Sequence, residues 1–255
     1  MISVTLTLLG LTTAHAADDV APALRAVTPP AAALAVADAY PGGNLSAGFR
    51  NKLADWTRNT LAASAQRYLD AARVSCETQA NVSFLDAGTF GTTSEEKDFE
   101  GSTFLVESVY CLDSGTAAQT IDIYTSSDFR INVMPMVDSF SITGDQMCLS
   151  TEPKAGLLKP TSFCHQIVPF KGPTSWGMAG WLVSNDPRPE IQPLYFRETV
   201  VLFVDRPDGG VAGYRGVVTR SRDLGTLQRT VLRTIVGAGH SKVEAGLKDR
   251  LASTP

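Results

Sequence analysis

Apolar residues recur along this chain first with a helical period, then with an alternating one, then with a helical period again. In residues 49–74, Phe49, Leu53, Trp56, Tyr68, Leu69 and Ala72 stand at mostly helical spacings among good helix formers, which predicts one amphipathic helix. Residues 88–101 mix Gly, Thr and the charged run Glu95-Glu96-Lys97-Asp98, a solvated loop. Alternation then begins: Phe104, Val106, Ser108 and Tyr110 fall on one face of a predicted strand, and Leu105, Glu107, Val109 and Cys111 on the other. The turn Asp113-Ser114-Gly115 ends it. Residues 116–127 place Ala117, Ile121 and Tyr124 at i, i+4 and i+7 of a short helix, and Pro135 disfavours helical geometry at Met134, so the helical region stops there.

Strand patterns follow at 137–142, 147–150, 162–169 and 178–184. The clearest pair spans 195–204 and 211–219, joined by the turn-rich Asp205-Arg206-Pro207-Asp208-Gly209-Gly210. From about Asp223 the chain is helical to its end. Leu224, Leu227, Val231 and Ile235 form one stripe and Val243, Leu247 and Leu251 another, with Gly237-Ala238-Gly239 predicting a kink or break between them.

The front of the chain differs in kind. Residues 2–11 are an apolar run of the length of a signal-peptide core, followed by Ala14-His15-Ala16, so a signal peptide over 1–16 and an exported, periplasmic or secreted protein are expected. The run falls short of the ~20 residues a spanning helix needs. Residues 17–44, Ala-rich with Pro22, Pro29, Pro30 and Pro41, read as a flexible linker. Residues 45–101 are then a helical extension and loop, and 102–255 the main domain. An even number of cysteines in an exported chain, Cys76, Cys111, Cys148 and Cys164, reads as two disulfides. Of the three pairings open to them, spacing favours Cys148 with Cys164, clamping a hairpin, and Cys76 with Cys111, tying a helix end to a strand. Zinc fits poorly, because no Cys-x-x-Cys pair exists.

Composition narrows the function classes. Among 255 residues, 22 basic and 26 acidic side chains give a net charge of -4, which argues against a nucleic-acid-binding surface, and 44% hydrophobic with 19% charged residues fits a globular core. Charge is uneven, with the carboxy-terminal part mildly basic. Arg220, Arg222, Arg229 and Arg233 cluster near the last helix, where an anionic lipid surface would dock as a peripheral membrane contact; a solvated face opposite the leucine stripe is the plainer reading.

The order strand, short helices ending in Pro, antiparallel strands and one long terminal helix is a helix-grip order. Residues 116–130, followed by Met134-Pro135-Met136-Val137, resemble the segment after the first strand in START-like proteins (the SRPBCC superfamily), in the polyketide-cyclase and coenzyme-Q-binding branch. An Asp-Phe pair and a later Pro recur there, and Asp128, Phe129 and Pro135 stand in those places. Residues 241–251 are similar to that family's helical ending. The resemblance covers about residues 103–253 and leaves the helix at 49–74 unaccounted for. It implies an α+β fold, a curved antiparallel sheet around a long carboxy-terminal helix, here with an extra amino-terminal helix and two disulfides. It also implies a deep cavity for a hydrophobic small molecule such as a lipid, sterol, quinone or polyketide.

On the strand at 195–204 one face offers Tyr195, Arg197, Thr199, Val201 and Phe203, a mixture of apolar and single polar groups suited to a ligand wall. Trp176, Trp181 and Tyr214 are further pocket candidates, although packing in a solid core is the plainer use of each. Enzyme motifs are sparse. No Gly-x-Ser-x-Gly elbow occurs, Cys164 and His165 as strand neighbours point to opposite faces, and no Gly-x-Gly-x-x-Gly fingerprint suggests a nucleotide cofactor. Three readings result: a carrier of a hydrophobic ligand, an envelope protein with a solid core that binds a partner, and a cyclase-like or hydratase-like enzyme in which Tyr195 or Arg197 polarises a carbonyl.

Overall fold

Helix α1 (Ala47–Val74) is set by a stripe of Leu53, Thr57, Leu61, Ala65, Leu69 and Ala72, spaced by three or four residues and all buried. The computed structural model describes residues 47–85, 89, 101–134, 136–152, 158–186, 188 and 190–253. The signal peptide and linker expected over 1–44 lie outside the described residues.

The stripe packs on an eight-stranded antiparallel sheet. Its strands are β1 (Gln79–Leu85), β2 (Ser102–Leu112), β3 (Val137–Thr143), β4 (Gln146–Thr151), β5 (Thr161–Lys171), β6 (Ser175–Asn185), β7 (Leu194–Asp205) and β8 (Val211–Ser221). In space they run β1-β2-β8-β7-β6-β5-β4-β3. Helices α2 (Ala117–Thr125) and α3 (Ser127–Val133) connect β2 to β3, and α4 (Thr226–Ala252) closes the chain. This is the α+β helix-grip arrangement: a curved antiparallel sheet with α4 against its inner face and α1 against its outer face.

Local chemistry fixes the connections. Thr116 caps α2 in a reciprocal box with Gln119, and the Asp205 carboxylate accepts the Ala117 N–H at 2.6 Å, a negative charge at a helix start. Gly115 holds φ +90° in the turn after β2, and a Cβ there would lie 2.6 Å from Leu251 Cδ2, so α4 ends against a bare backbone. Both disulfides form as spacing favoured. Cys148 and Cys164 are direct cross-strand partners on β4 and β5, and Cys76 ties the end of α1 to Cys111 on β2.

Three expectations are corrected. Residues 79–85, expected within a helical extension and loop, form β1, an edge strand paired along its whole length with β2. Helix α4 runs unbroken through Gly237 and Gly239: the ~1 kcal/mol propensity cost of each glycine is outweighed by the packing of its flanks. Leu227, placed in one stripe with Leu224, Val231 and Ile235, is 61% exposed; Ile235, Val243 and Leu247 do face inward, joined there by Leu232, Val236 and His240.

The sheet separates two cores. On the outer face Leu61, Ala65 and Leu69 of α1 meet Leu105, Trp181, Leu202 and Tyr214. On the inner face Tyr110, Tyr124, Phe129, Phe203 and Leu247 fill one end between the sheet, α2, α3 and α4.

Candidate functional site

The inner layer is not filled along its whole length. Between the sheet and α4 lies a cavity of about 280 Å³, near the lower end of the ~300–1,000 Å³ usual for small-molecule sites. Period-2 alternation builds its walls: Val106 and Ser108 from β2, Arg215, Val217 and Thr219 from β8, and Arg197, Thr199 and Val201 from β7 all point inward. Phe163 and His165 of β5 and Met147 and Leu149 of β4 continue the concave surface. Across from them, Leu232, Ile235, Val236 and Val243 of α4 supply apolar cover, while Gly239 contributes no side chain to fill the space. Met136 enters the rim with φ 68°, a conformation uncommon for a residue with a Cβ.

Within this mainly apolar enclosure sit three arginines. Arg197 donates from Nη1 to Thr219 Oγ1 at 2.8 Å, and its guanidinium lies 4.9 Å from the Phe163 ring; its Nε has no partner among the described residues. Burial, and then the charge of Arg215, pull its pKa down to about 9. Arg130 donates from Nε to the Tyr124 carbonyl at 2.6 Å and stacks on the Tyr124 ring at 4.0 Å; burial lowers it too. For Arg215, burial works in the same direction, but the neighbouring Tyr124 and Tyr110 oxygens outweigh it and hold it above its ordinary value. Among the described residues none of the three is paired with a carboxylate, and no Asp or Glu lines the cavity. Enclosing a charge without a counter-ion costs several kcal/mol, of which cation–π contacts of roughly 0.5–2 kcal/mol recover part.

His165 is the fourth polar feature. It is 1% exposed, packs 4.9 Å from Phe163, and neither ring nitrogen has a partner among the described residues. Burial first, then the charges of Arg197, Arg130 and Arg215, hold it far below the ordinary histidine range. It is therefore a neutral imidazole at pH 7, offering one donor and one acceptor. His165 lines the cavity, while Cys164, its neighbour on β5, is held in the disulfide to Cys148.

A second polar cluster lies at the α4 edge of the cavity. Thr78 Oγ1 lies 2.6 Å from His240 Nε2 and also meets Glu244, whose carboxylate binds Lys248 at 2.8 Å. His240 stacks on Tyr110 at 4.9 Å. Hydroxyl and carboxylate approach the same imidazole nitrogen, whereas a nucleophile relay needs the acid on the opposite nitrogen. The cluster ties α4 to the start of β1.

The ligand candidates read from the sequence are divided by the sheet. Arg197 and Val201 line the cavity. Phe203 is fully buried in the packed end, against Tyr110 and Tyr124. Tyr195 is buried beside a register irregularity between Leu194 and Phe196 and is not part of the cavity wall. Trp181 and Tyr214 belong to the outer core, where Tyr214 stacks on Tyr68 of α1 at 5.8 Å and donates to Glu107 at 3.2 Å. They were grouped with the wrong face because both faces of these strands are apolar. Trp176 is half-buried, with the Lys171 ammonium 4.0 Å over its ring.

The basic cluster is also corrected. Arg220 is buried and donates to Thr103 Oγ1 at 2.8 Å; Arg229 binds the Leu224 carbonyl and lies with Arg233 over the Phe84 ring. These four arginines do not form one free surface. Among the described residues no helix is long and apolar enough to cross a membrane.

Fold and site together define a sheet-and-helix grip enclosing a mainly apolar chamber. No protein-family model matches the chain, and no curated protein matches it. Solved structures of similar shape include a STAR-related lipid transfer protein from Xanthomonas axonopodis (11% identity, 66% of this chain and 98% of that one, TM-score 0.46). Human StAR-related lipid transfer protein 5 gives 16% identity over 77% of this chain and 96% of its own, TM-score 0.45. A START superfamily protein from Mycobacterium smegmatis gives 11% over 58% and 97%, TM-score 0.42.

Proposed function

We propose that the protein binds or carries a hydrophobic small molecule inside the cavity between the sheet and α4, and that it does so outside the cytoplasm. The carrying observation is the chamber itself: one face of the sheet carries an apolar core under α1, while the other, under α4, leaves about 280 Å³ lined mainly by apolar side chains. Burial of a ligand there gains roughly 25 cal/mol per Å² of apolar surface removed from water. Two disulfides in a chain of this size suit an oxidising compartment. Of the three classes named, lipid, quinone and sterol, the volume favours a compact or single-chain member over a two-chain lipid.

The test is native mass spectrometry of the protein purified from its own host, followed by solvent extraction and by exposure to a panel of single-chain lipids, sterols and quinones. A co-purifying or added ligand at one per chain is expected. Val201→Phe, which enlarges a side chain in the wall, should abolish uptake at a stability cost of about 1–3 kcal/mol. A persistently apo mass against the whole panel would favour a solid-core protein that works through its surface.

A further inference from the structure

We propose that the ligand of this cavity is an anionic amphiphile, an apolar body bearing a terminal oxyanion, carboxylate in the first instance, which Arg197 and Arg215 hold beside the imidazole of His165. The assignment rests on the proposed ligand-binding role and names the chemical class the chamber selects.

The chamber is apolar in area but one-sided in charge. Arg197 faces Thr219 across the β7–β8 ladder, and Arg215 faces Val201 four residues further along, so the two guanidinium groups enter the same wall from adjacent strands. Arg130 enters from α3, over the Tyr124 ring. Among the described residues no carboxylate answers any of them within the lining. An arginine carries five N–H donors, and Arg197 spends one on Thr219 and leaves Nε unmatched. A planar fork of donors in an enclosed site matches a carboxylate or phosphate edge, and such charge-assisted pairs are the strong ones.

His165 adds an independent mark. A Cβ on Gly180 of β6 would lie 3.4 Å from its Nδ1 and 3.1 Å from Thr199 Cγ2, which leaves only β6 between the imidazole and the arginine wall, and both nitrogens are unmatched. Held neutral by burial and then by the three neighbouring cations, it donates one N–H to an anion without adding a fourth charge. For the apolar body, Val106, Val217, Leu232 and Val236 provide a surface with no polar atoms on its side chains.

The experiment compares dodecanoate, dodecanol and dodecyl phosphate by calorimetric titration into the full-length protein. Dodecanoate is expected to bind at least about tenfold more tightly than dodecanol, the yield of one charge-assisted pair. Arg197→Met and Arg215→Met should each lower dodecanoate affinity by about tenfold or more and so remove its advantage over dodecanol. Tighter binding of dodecyl phosphate than of dodecanoate would support the oxyanion site and assign its head group to the phosphate class. Equal affinity for dodecanoate and dodecanol in the unaltered protein overturns the anionic assignment while leaving the hydrophobic-ligand reading standing, and needs no variant to fold. Binding of none of the three overturns the anionic assignment, and an apo mass against the sterol and quinone panel as well overturns the hydrophobic-ligand reading.

Discussion

Glu198 lies on the outer face of β7, 1% exposed, directly across from Trp181 and beneath α1. Burial pushes its carboxyl from 4.5 up to about 8, outweighing the lowering by Arg58 and Trp181. The folded protein therefore holds a proton that the unfolded chain releases between those two values. With fewer protons bound in the unfolded state, stability falls as pH rises: the contribution is complete below about pH 4.5 and is lost by about pH 8. At ~1.4 kcal/mol per pKa unit the ceiling is about 5 kcal/mol, and roughly 3–5 kcal/mol is the expected loss. Glu198→Gln keeps the shape and removes the titration. Urea melts of both proteins from about pH 5 to about pH 8.5 should show the stability of the unaltered protein falling, relative to the variant, by that amount with unchanged m values. A difference constant within ~0.5 kcal/mol across that range would refute the argument, and would mean that water reaches the carboxylate under α1.

Removing either disulfide tests the same frame from its edges. Cys76→Ser with Cys111→Ser opens a loop of separation 35 and should cost about 4 kcal/mol, whereas Cys148→Ser with Cys164→Ser opens one of 16 and should cost about 3 kcal/mol, both read from urea midpoints. Leu61→Ala, at a fully buried position in the outer core, should cost about 3–5 kcal/mol and lower the melting midpoint by roughly 6–20 °C by circular dichroism. It should leave dodecanoate affinity unchanged, because the sheet stands between Leu61 and the cavity; a parallel loss of binding would show that the two faces are not independent.

The strands that alternate strongly were legible in the sequence: β2, β7 and β8 occupy the ranges their patterns mark, and Pro135 does follow the end of α3. Strand β1 was not, because it places only Val82 in full burial and carries Asn81 and Ser83 between its apolar residues, too weak an alternation to stand out at a sheet edge. The site was half legible. Alternation sorts residues into two faces but cannot say which one is hollow when both are apolar, and so Trp181 and Tyr214 were placed with Arg197 and Val201. Arg215 was overlooked for the same reason: with Tyr214 outward, its neighbour must face inward. The available signal was an arginine set among Tyr214, Gly216 and Val217 on a strand buried on both sides.

That the cavity lies on the α4 side of the sheet follows from the residues each helix offers it. Helix α1 presents Ala54, Ala62, Ala65 and Ala72 between its leucines, so its backbone approaches closely and the large partners, Trp181, Tyr214 and Leu202, come from the strands and fill what remains. Helix α4 is seated at its carboxy-terminal end by Val243, Leu247 and Leu251 against Tyr110, Tyr124 and Phe129, and at its start by Arg229 on the Leu224 carbonyl. Between these two anchors Gly239 leaves the wall without a side chain, and the strands opposite contribute Thr199, Ser108, Arg197 and Arg215 in place of further leucine or phenylalanine. A core meant only for stability would exchange unpaired arginines for apolar residues of similar volume, a change that is commonly neutral or stabilising by about 1–4 kcal/mol. Retaining them in the middle of the chamber makes sense when an anion completes the set, and the same substitution therefore separates the two roles: Arg197→Met should hold or raise the melting midpoint while it weakens binding of dodecanoate.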